Sequence, residues 1–582
     1  METERSDELA SQVEESERIF SKPALARIKH EQTKWEASVL QESLEHKLEV
    51  KDEFKSGSGD IVKRLYTPGD IADTDYERDI GFPGQPPFTR GIRACGYRTR
   101  EELLLSFYTG YGSAENANQR YRDLIAAGAG DIWFAMDLPT QLGYDSDNSL
   151  SEFEVGKAGV ALDTLRDLEI LLDGIPLDKI RMGAVANSIG PWFLAMFIAL
   201  IEKRGTVPEK SYVWIQNDPF KEYTGRGTYI FSPAVAVDLA ADATVYCCNH
   251  MPMWDPQYAV AAHLRSGCTA AQEIGFGVAH LVTYIDAALK KGVKLEQLLP
   301  RLSIHYTTRE DFFEEVAKFR AARRLWAKVA RERFKTSDPR VLTLRQTTYT
   351  STRLPAKQPL NNIVRTTVHV LASLLGGVEH ILSPAYDEAL ALPTLESTRL
   401  AALTRNIIHC ELFVNNTVDP LGGSYFVEKL TNELEEKGRE CFEEMEAMGG
   451  PMAAIEGGFY QRVIAEGIFR HQQAVESGER VVIGVNKYTR EEGLPPKIFH
   501  PDPGAEVRQI EQLREVKRER DNALVEQCLA QIKKVAEEKA AGKDSNIMPS
   551  MLNAVKAYAT IGEIHGVLRQ VFGEYKPSQF YI

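Results

Sequence analysis

No apolar run in this sequence reaches the ~18 residues that a membrane-crossing helix needs, so no membrane span is expected. No two cysteines stand at Cys-x-x-Cys spacing, and the total of seven is odd for a chain of 582 residues. A structural zinc site or a disulfide framework is therefore not expected. His-x3-His metal spacing, a Gly-x-Ser-x-Gly elbow and a kinase signature set are absent too, and no metal site is read from the sequence. Positive charge is in deficit, with 69 Lys and Arg against 83 Asp and Glu and a net charge of -14. That balance excludes nucleic acid as a general partner. The start, "METERSDELASQ", is acidic where a secretory leader would be basic and then apolar, so the expected compartment is the cytoplasm.

What is present is ordinary globular material, 43% hydrophobic and 26% charged, enough for one large domain with accessory parts. One stretch runs against the charge balance. "TRGIRACGYRTR" gathers Arg90, Arg93, Arg98 and Arg100, readable as a solvated basic loop or as guanidinium forks for an anionic ligand. Two glycine-rich stretches fail as phosphate cradles. "TGYGSAEN" has Glu115 where a third glycine belongs, and "EVGKAGVA" lacks the flanking residues of a P-loop.

Residues 1 to about 60 are highly charged with sparse apolar positions, and 65–91 carry too much Pro and Gly for regular structure. Together, 1–84 read as a helical and extended arm. From about 100, short apolar runs alternate with helical segments. The expected strands lie within 103–109, 131–138, 181–187, 212–218, 258–263, 301–307, 341–348 and 380–386. Eight strands alternating with helices predict an α/β fold, a (β/α)8 TIM barrel over 85–425, followed by a helical region over 426–582.

Barrel active sites sit at the C-terminal strand ends. There fall Asp137, Asn187, the run Gln216–Asn217–Asp218, His263, and Thr347 with Thr348. Three polar residues closing the core strand "VWIQND" predict that something polar binds at its tip. Among twelve histidines, His263, in an Ala-rich strand tip, is the one marked for chemistry. Several strands also offer Ala, Ser and Thr where barrels usually pack Val, Ile and Leu. The expectation from this is a roomy axis that a long ligand threads.

Several phrases taken together resemble the large subunit of a coenzyme B12-dependent acyl-CoA mutase, of the methylmalonyl-CoA mutase family. They are "FTRG" (88–91), "MDLPTQLGYDSDN" (136–148), "LLDGIPLDKI" (171–180), "IQNDPFKEY" (215–223), "GTYIF" (227–231), "RRLWA" (323–327), "NNIVRT" (361–366), "DEALALPT" (387–394), "DPLGGSYFVE" (419–428), "VIGVNKY" (482–488) and "TIGEIHGVLRQVFGEY" (560–575). The resemblance implies a barrel threaded by the pantetheine arm of coenzyme A. It also implies adenosylcobalamin, whose cobalt–carbon bond yields a radical that takes and returns a substrate hydrogen while the thioester group migrates.

By the same resemblance, Gln216 and Arg226 hold the acyl portion, with Arg226 facing a free carboxylate, and His263 holds the thioester carbonyl. Tyr108, or its neighbour Phe107, stands beside the adenosyl group. Glu388 with Ala389 and Met136 contact the cofactor, Arg100 contacts coenzyme A, and Arg301 and Ser303 are further substrate-binding residues. Departures include Leu104 and Ser106 on the first strand, Ala261-Ala262 before His263, and Pro384. Lost bulk beside the pocket favours a larger acyl chain. The Asp-x-His-x-x-Gly signature of a cobalamin domain is absent, since His565 lacks the Asp two residues earlier. The cobalt ligand is thus expected from a separate small cobalamin-binding subunit, and a chaperone GTPase is a further implied partner. The expected substrate is methylmalonyl-CoA/succinyl-CoA or a bulkier carboxylate-bearing analogue. A neutral isobutyryl- or 2-hydroxyisobutyryl-type substrate and a non-catalytic scaffold barrel stand as alternatives.

Overall fold

A computed structural model describes residues 19–351, 353–490, 498–500 and 502–577. The first twelve residues, on which the expectation of no export rests, lie outside the described residues. Eight parallel strands follow in chain order: β1 Ser106–Thr109, β2 Asp131–Phe134, β3 Arg181–Ala184, β4 Val213–Ile215, β5 Gln257–Val260, β6 Leu302–Thr308, β7 Arg345–Thr350 and β8 His380–Leu382. Each is followed by at least one helix before the next, as parallel neighbours require. Each falls within or against its predicted segment, but most end sooner, where the chain turns into polar loops. The seventh also starts later than expected, because Pro339–Leu342 forms a helical turn capped by Asp338.

Hydrogen bonding runs β1-β2-β3-β4 and β5-β6-β7-β8. At the β4–β5 seam, a parallel bridge joins Trp214 to Asp255, with Ile215 N donating to Asp255 O at 3.0 Å and Asp255 N to Val213 O at 2.9 Å. At the β8–β1 seam, the buried Arg405 guanidinium donates to the carbonyls of Ile381 and Ser106. It satisfies acceptors that an open sheet edge would leave bare. Ser106 Oγ and His380 Nε2 add a side-chain bond of 2.6 Å across the same seam.

Helices cover the strands outside, and most outward strand positions are apolar. Ile132, Phe134, Val213 and Ile215 pack outward against the helix Gly190–Lys203, which buries twelve of its residues. The segment that precedes β1 is pinned to the barrel by the "RRLWA" motif. Arg323 donates to the carbonyls of Phe88 (2.8 Å) and Thr89 (2.9 Å), and Arg324 to that of Asp79 (3.0 Å). Beyond Tyr425 the chain is largely helical, beginning with Tyr425–Ala447, which packs on Ala270–Lys290 and Phe312–Phe334.

The expectation of a roomy axis is corrected here. Ala184, Ala186, Ala259 and Ala261 face outward into the strand–helix core, and Thr348 and Thr308 bond to each other on that outer side at 2.9 Å. Side chains alternate along a strand, and large residues take several of the inward positions. Trp133, Trp214 and Leu382 form one cluster, with Tyr108, Tyr212 and Tyr349 packed against it. Among the described residues, no helix is long and apolar enough to cross a membrane.

Candidate active site

A cavity of about 410 Å³ opens at the C-terminal strand ends. Tyr108 of β1, Gln216 after β4, His263 after β5, His305 of β6, Tyr349 of β7 and Glu388 after β8 all line it, with Lys221, Arg226 and Ala389. With Trp133 of β2 and Val185 after β3 also in the lining, contributions from all eight strands converge, as in barrel enzymes generally.

The polar tip of β4 divides its labour. Gln216 faces the cavity, and its Oε1 accepts Lys221 Nζ at 2.9 Å. Asn217 turns away to bond Ala240 O at 2.9 Å. Asp218 is an anchor, accepting the Val260 backbone N–H and the Tyr284 hydroxyl, and burial pushes its pKa up to about 6. The expectation that the run binds a ligand thus narrows to Gln216.

A helical turn over Glu222–Arg226 ends at Gly227, whose φ of 94° lets the chain reverse at once. That turn carries Arg226 to the cavity wall beside His263. Gly225 lies so close that a Cβ there would stand 3.1 Å from His263 Cβ. Among the described residues, the Arg226 guanidinium forms no hydrogen bond or ion pair. Its neighbour Glu222 is engaged elsewhere, with Asn187 and Thr228.

Lys221 is 4% exposed, and burial lowers its pKa to about 8, with Arg226 adding to the effect and Glu222 and Asp218 opposing it. The His263 imidazole is held well below its ordinary range by burial first, then by the positive charges of Lys221 and Arg226. It is therefore neutral at pH 7, with an N–H to offer a carbonyl oxygen. His305 is likewise pushed down to about 3 by burial, and its Nδ1 bonds Thr347 Oγ at 2.7 Å.

On the opposite wall, the Tyr349 hydroxyl donates to Glu388 Oε1 at 2.7 Å, and desolvation raises the Glu388 pKa. Tyr108 feels both Arg226 and Glu388, though burial dominates and raises its pKa. One wall thus carries two cations and a neutral imidazole, and the other a carboxyl and two phenols.

Four of the sequence-predicted site residues lie elsewhere. Met136 is 1% exposed and packs in the outer core, because it points to the helices where its strand ends. Arg301 precedes β6 and donates to the carbonyls of Met251 (3.0 Å) and Cys247 (3.3 Å), closing a helix end. Ser303, near the start of β6, is 1% exposed, and its hydroxyl has no partner among the described residues. Arg100 donates to Glu379 O at 3.2 Å in a separate cavity of about 40 Å³ that it shares with Arg90, Arg93 and Arg323. Phe107, the alternative to Tyr108, is buried in the outer core. His565 is 2% exposed and bonds Ile561 O through Nδ1, so it is a packing residue.

Sequence reasoning missed Lys221, His305, Tyr349 and Trp133. The signals available were the two-residue alternation that places His305 with Ser303, and Tyr349 with Thr347, on one strand face. For Lys221, the signal was the five-residue step from Gln216 into the helical turn.

The family model for methylmalonyl-CoA mutase matches residues 55–574. The chain is 38% identical to the 2-hydroxyisobutanoyl-CoA mutase large subunit of Aquincola tertiaricarbonis, over 96% of this chain and 98% of that protein. It is 39% identical to the methylmalonyl-CoA mutase of Rhizobium meliloti, over 88% of this chain and 72% of that protein. For the methylmalonyl-CoA mutase of Escherichia coli the identity is 37%, over 90% and 73%. With a parallel eight-stranded α/β architecture and this similarity along nearly its whole length, the chain belongs to the methylmalonyl-CoA mutase family, and is an isomerase of the mutase type.

Proposed function

We propose that this chain is the large, substrate-binding subunit of an adenosylcobalamin-dependent mutase that rearranges the carbon skeleton of a carboxylate-bearing acyl compound. The observation that carries this reading is the unpaired guanidinium of Arg226 beside the neutral His263, in a cavity whose far wall holds Glu388. A substrate carboxylate entering that space loses hydration and needs a charged partner, which Arg226 and Lys221 supply. His263 would donate its N–H to the acyl carbonyl, and Gln216, steadied by Lys221, would fix the acyl portion.

The mouth fits an adenosyl group. Tyr349 uses one carboxyl oxygen of Glu388, leaving the other to accept from ribose hydroxyls, and Tyr108 stands between that position and Arg226. When bound, adenosylcobalamin would supply the radical that takes a hydrogen from the substrate. The protein's part is placement, exclusion of water and fixed charge. In this reading 85–425 form the barrel with its acyl and adenosyl sites, 1–84 the arm and 426–582 the helical region.

The relative matched over nearly its full length is named a large subunit, which supports a separate small subunit that carries cobalamin. Mixing the chain with such a subunit, adenosylcobalamin and a panel of acyl compounds is expected to give turnover that the chain and cofactor alone do not. Turnover by the isolated chain would remove the partner from the account. A neutral branched acyl substrate is the second reading, favoured by the similarity to the 2-hydroxyisobutanoyl-CoA mutase large subunit.

Lys221 gives a pH signature. Its lowered pKa means that the second positive charge is present below about 8 and lost above it. For a carboxylate-bearing substrate, kcat/KM is expected to fall as pH rises through that value. Lys221→Met should start lower and lose that limb of the profile. An unchanged alkaline limb in Lys221→Met would assign the titration to another group.

A further inference from the structure

The cavity has a floor. Trp133 of β2 and Trp214 of β4, 2% and 0% exposed, meet across the barrel axis with ring centroids 3.9 Å apart and planes 56° apart. Both indole N–H groups point to the buried Asp131, Trp133 Nε1 at 2.6 Å and Trp214 Nε1 at 3.4 Å. His380 Nε2 lies 3.4 Å from the same carboxylate.

Nearer the N-terminal end, Arg181 stacks on the Tyr212 ring at 4.3 Å. Asp255 there holds Arg345 at 2.9 Å and Arg181 at 3.5 Å. Indoles, carboxylate and guanidiniums thus fill the axis in successive levels. The backbone is shaped around the upper one. A Cβ on Gly183 of β3 would fall 1.7 Å from Trp214 Cε2, so only glycine lets that ring lie flat against the strand.

We infer that the Trp133–Trp214 pair closes the barrel axis to ligands, so that the substrate is bound wholly on the C-terminal side of the pair and carries no arm down through the sheet. The inference rests on the reading of the cavity as the acyl site, and it narrows the substrate to a compact carboxylate-bearing acid or short thioester. A pantetheine arm that threads the barrel needs its axis, and the Trp133–Trp214 pair occupies that path. Arg100, Arg301 and Ser303, at the N-terminal strand ends, are on the far side of that barrier. A lost hydrogen bond from two indoles to one buried carboxylate opposes any outward swing.

The test is titration of coenzyme A into the full chain by calorimetry, with indole fluorescence recorded alongside. W133S/W214T opens the axis and is expected to bind coenzyme A at least about tenfold more tightly than the wild type, about 1.4 kcal/mol. W214F keeps a ring in place and is expected to bind coenzyme A as weakly as the wild type does. If the double variant does not fold, W133S alone, which leaves Trp214 on its carboxylate, is expected to gain affinity in the same direction. Wild-type binding as tight as that of the opened variants, with a fluorescence change showing the rings displaced, would overturn the inference. These readouts require no turnover, so failure of the mutase reading would show separately, as no rearrangement of any acyl compound.

Discussion

His263→Ala is expected to lower kcat by about 10²- to 10³-fold, the usual cost of removing one donor to a carbonyl that gains charge in the transition state. KM should change much less, because the bond is stronger in the transition state than in the bound substrate. The geometry supports a donor and not an acid. Burial and two neighbouring cations keep the imidazole neutral, so its N–H polarises a carbonyl without transferring a proton. The expected kcat profile therefore shows no His263 titration in the neutral range. Steady-state kinetics over pH 6 to 8 would check this, and wild-type turnover in the variant would make His263 a packing residue.

Arg226→Gln is expected to depress kcat/KM for a carboxylate-bearing substrate by about 30- to 5,000-fold, from the roughly 2 to 5 kcal/mol that follows truncation of a desolvated charge pair. A neutral branched substrate of the same shape should lose little or gain. No described carboxylate pairs with Arg226, so the free chain holds a charge in search of a partner. Equal losses for both substrates would show that Arg226 supports the fold or the cofactor. The second reading, a neutral acyl substrate, would then take first place.

The sequence reveals the strand order well and the barrel's interior poorly. Alternating apolar runs and helical segments are enough to locate all eight strands, because the outward face that helices cover is mostly apolar. Which face a small residue takes depends on register, and a shift of one residue exchanges the two faces. Ala259 and Ala261 therefore pack against helices, while Val260 and Ala262 line the cavity. The axis read as open from alanines and threonines is filled by tryptophans.

Motif phrases contain Gln216 and Glu388, the family resemblance adds Arg226, and the strand-tip position marks His263, and these four do converge. Lys221 stands inside one of those phrases, and the five-residue step from Gln216 is the one spacing that marks it. Its importance comes from burial and from its bond to Gln216. The arginine-rich stretch gathers round one small cavity in the fold. Arg90 pairs with Asp419 at 3.1 Å, and Arg100 faces that cavity, remote from the acyl site.

The fate of a label tests the central claim most directly. The chain, a small cobalamin-binding subunit and compact carboxylate-bearing acyl compounds would be incubated with adenosylcobalamin tritiated at the adenosyl C5′ carbon. The account predicts a rearranged product that carries tritium, because the substrate hydrogen passes through that carbon and returns. Rearranged product free of tritium, or no rearrangement across the panel, would contradict it.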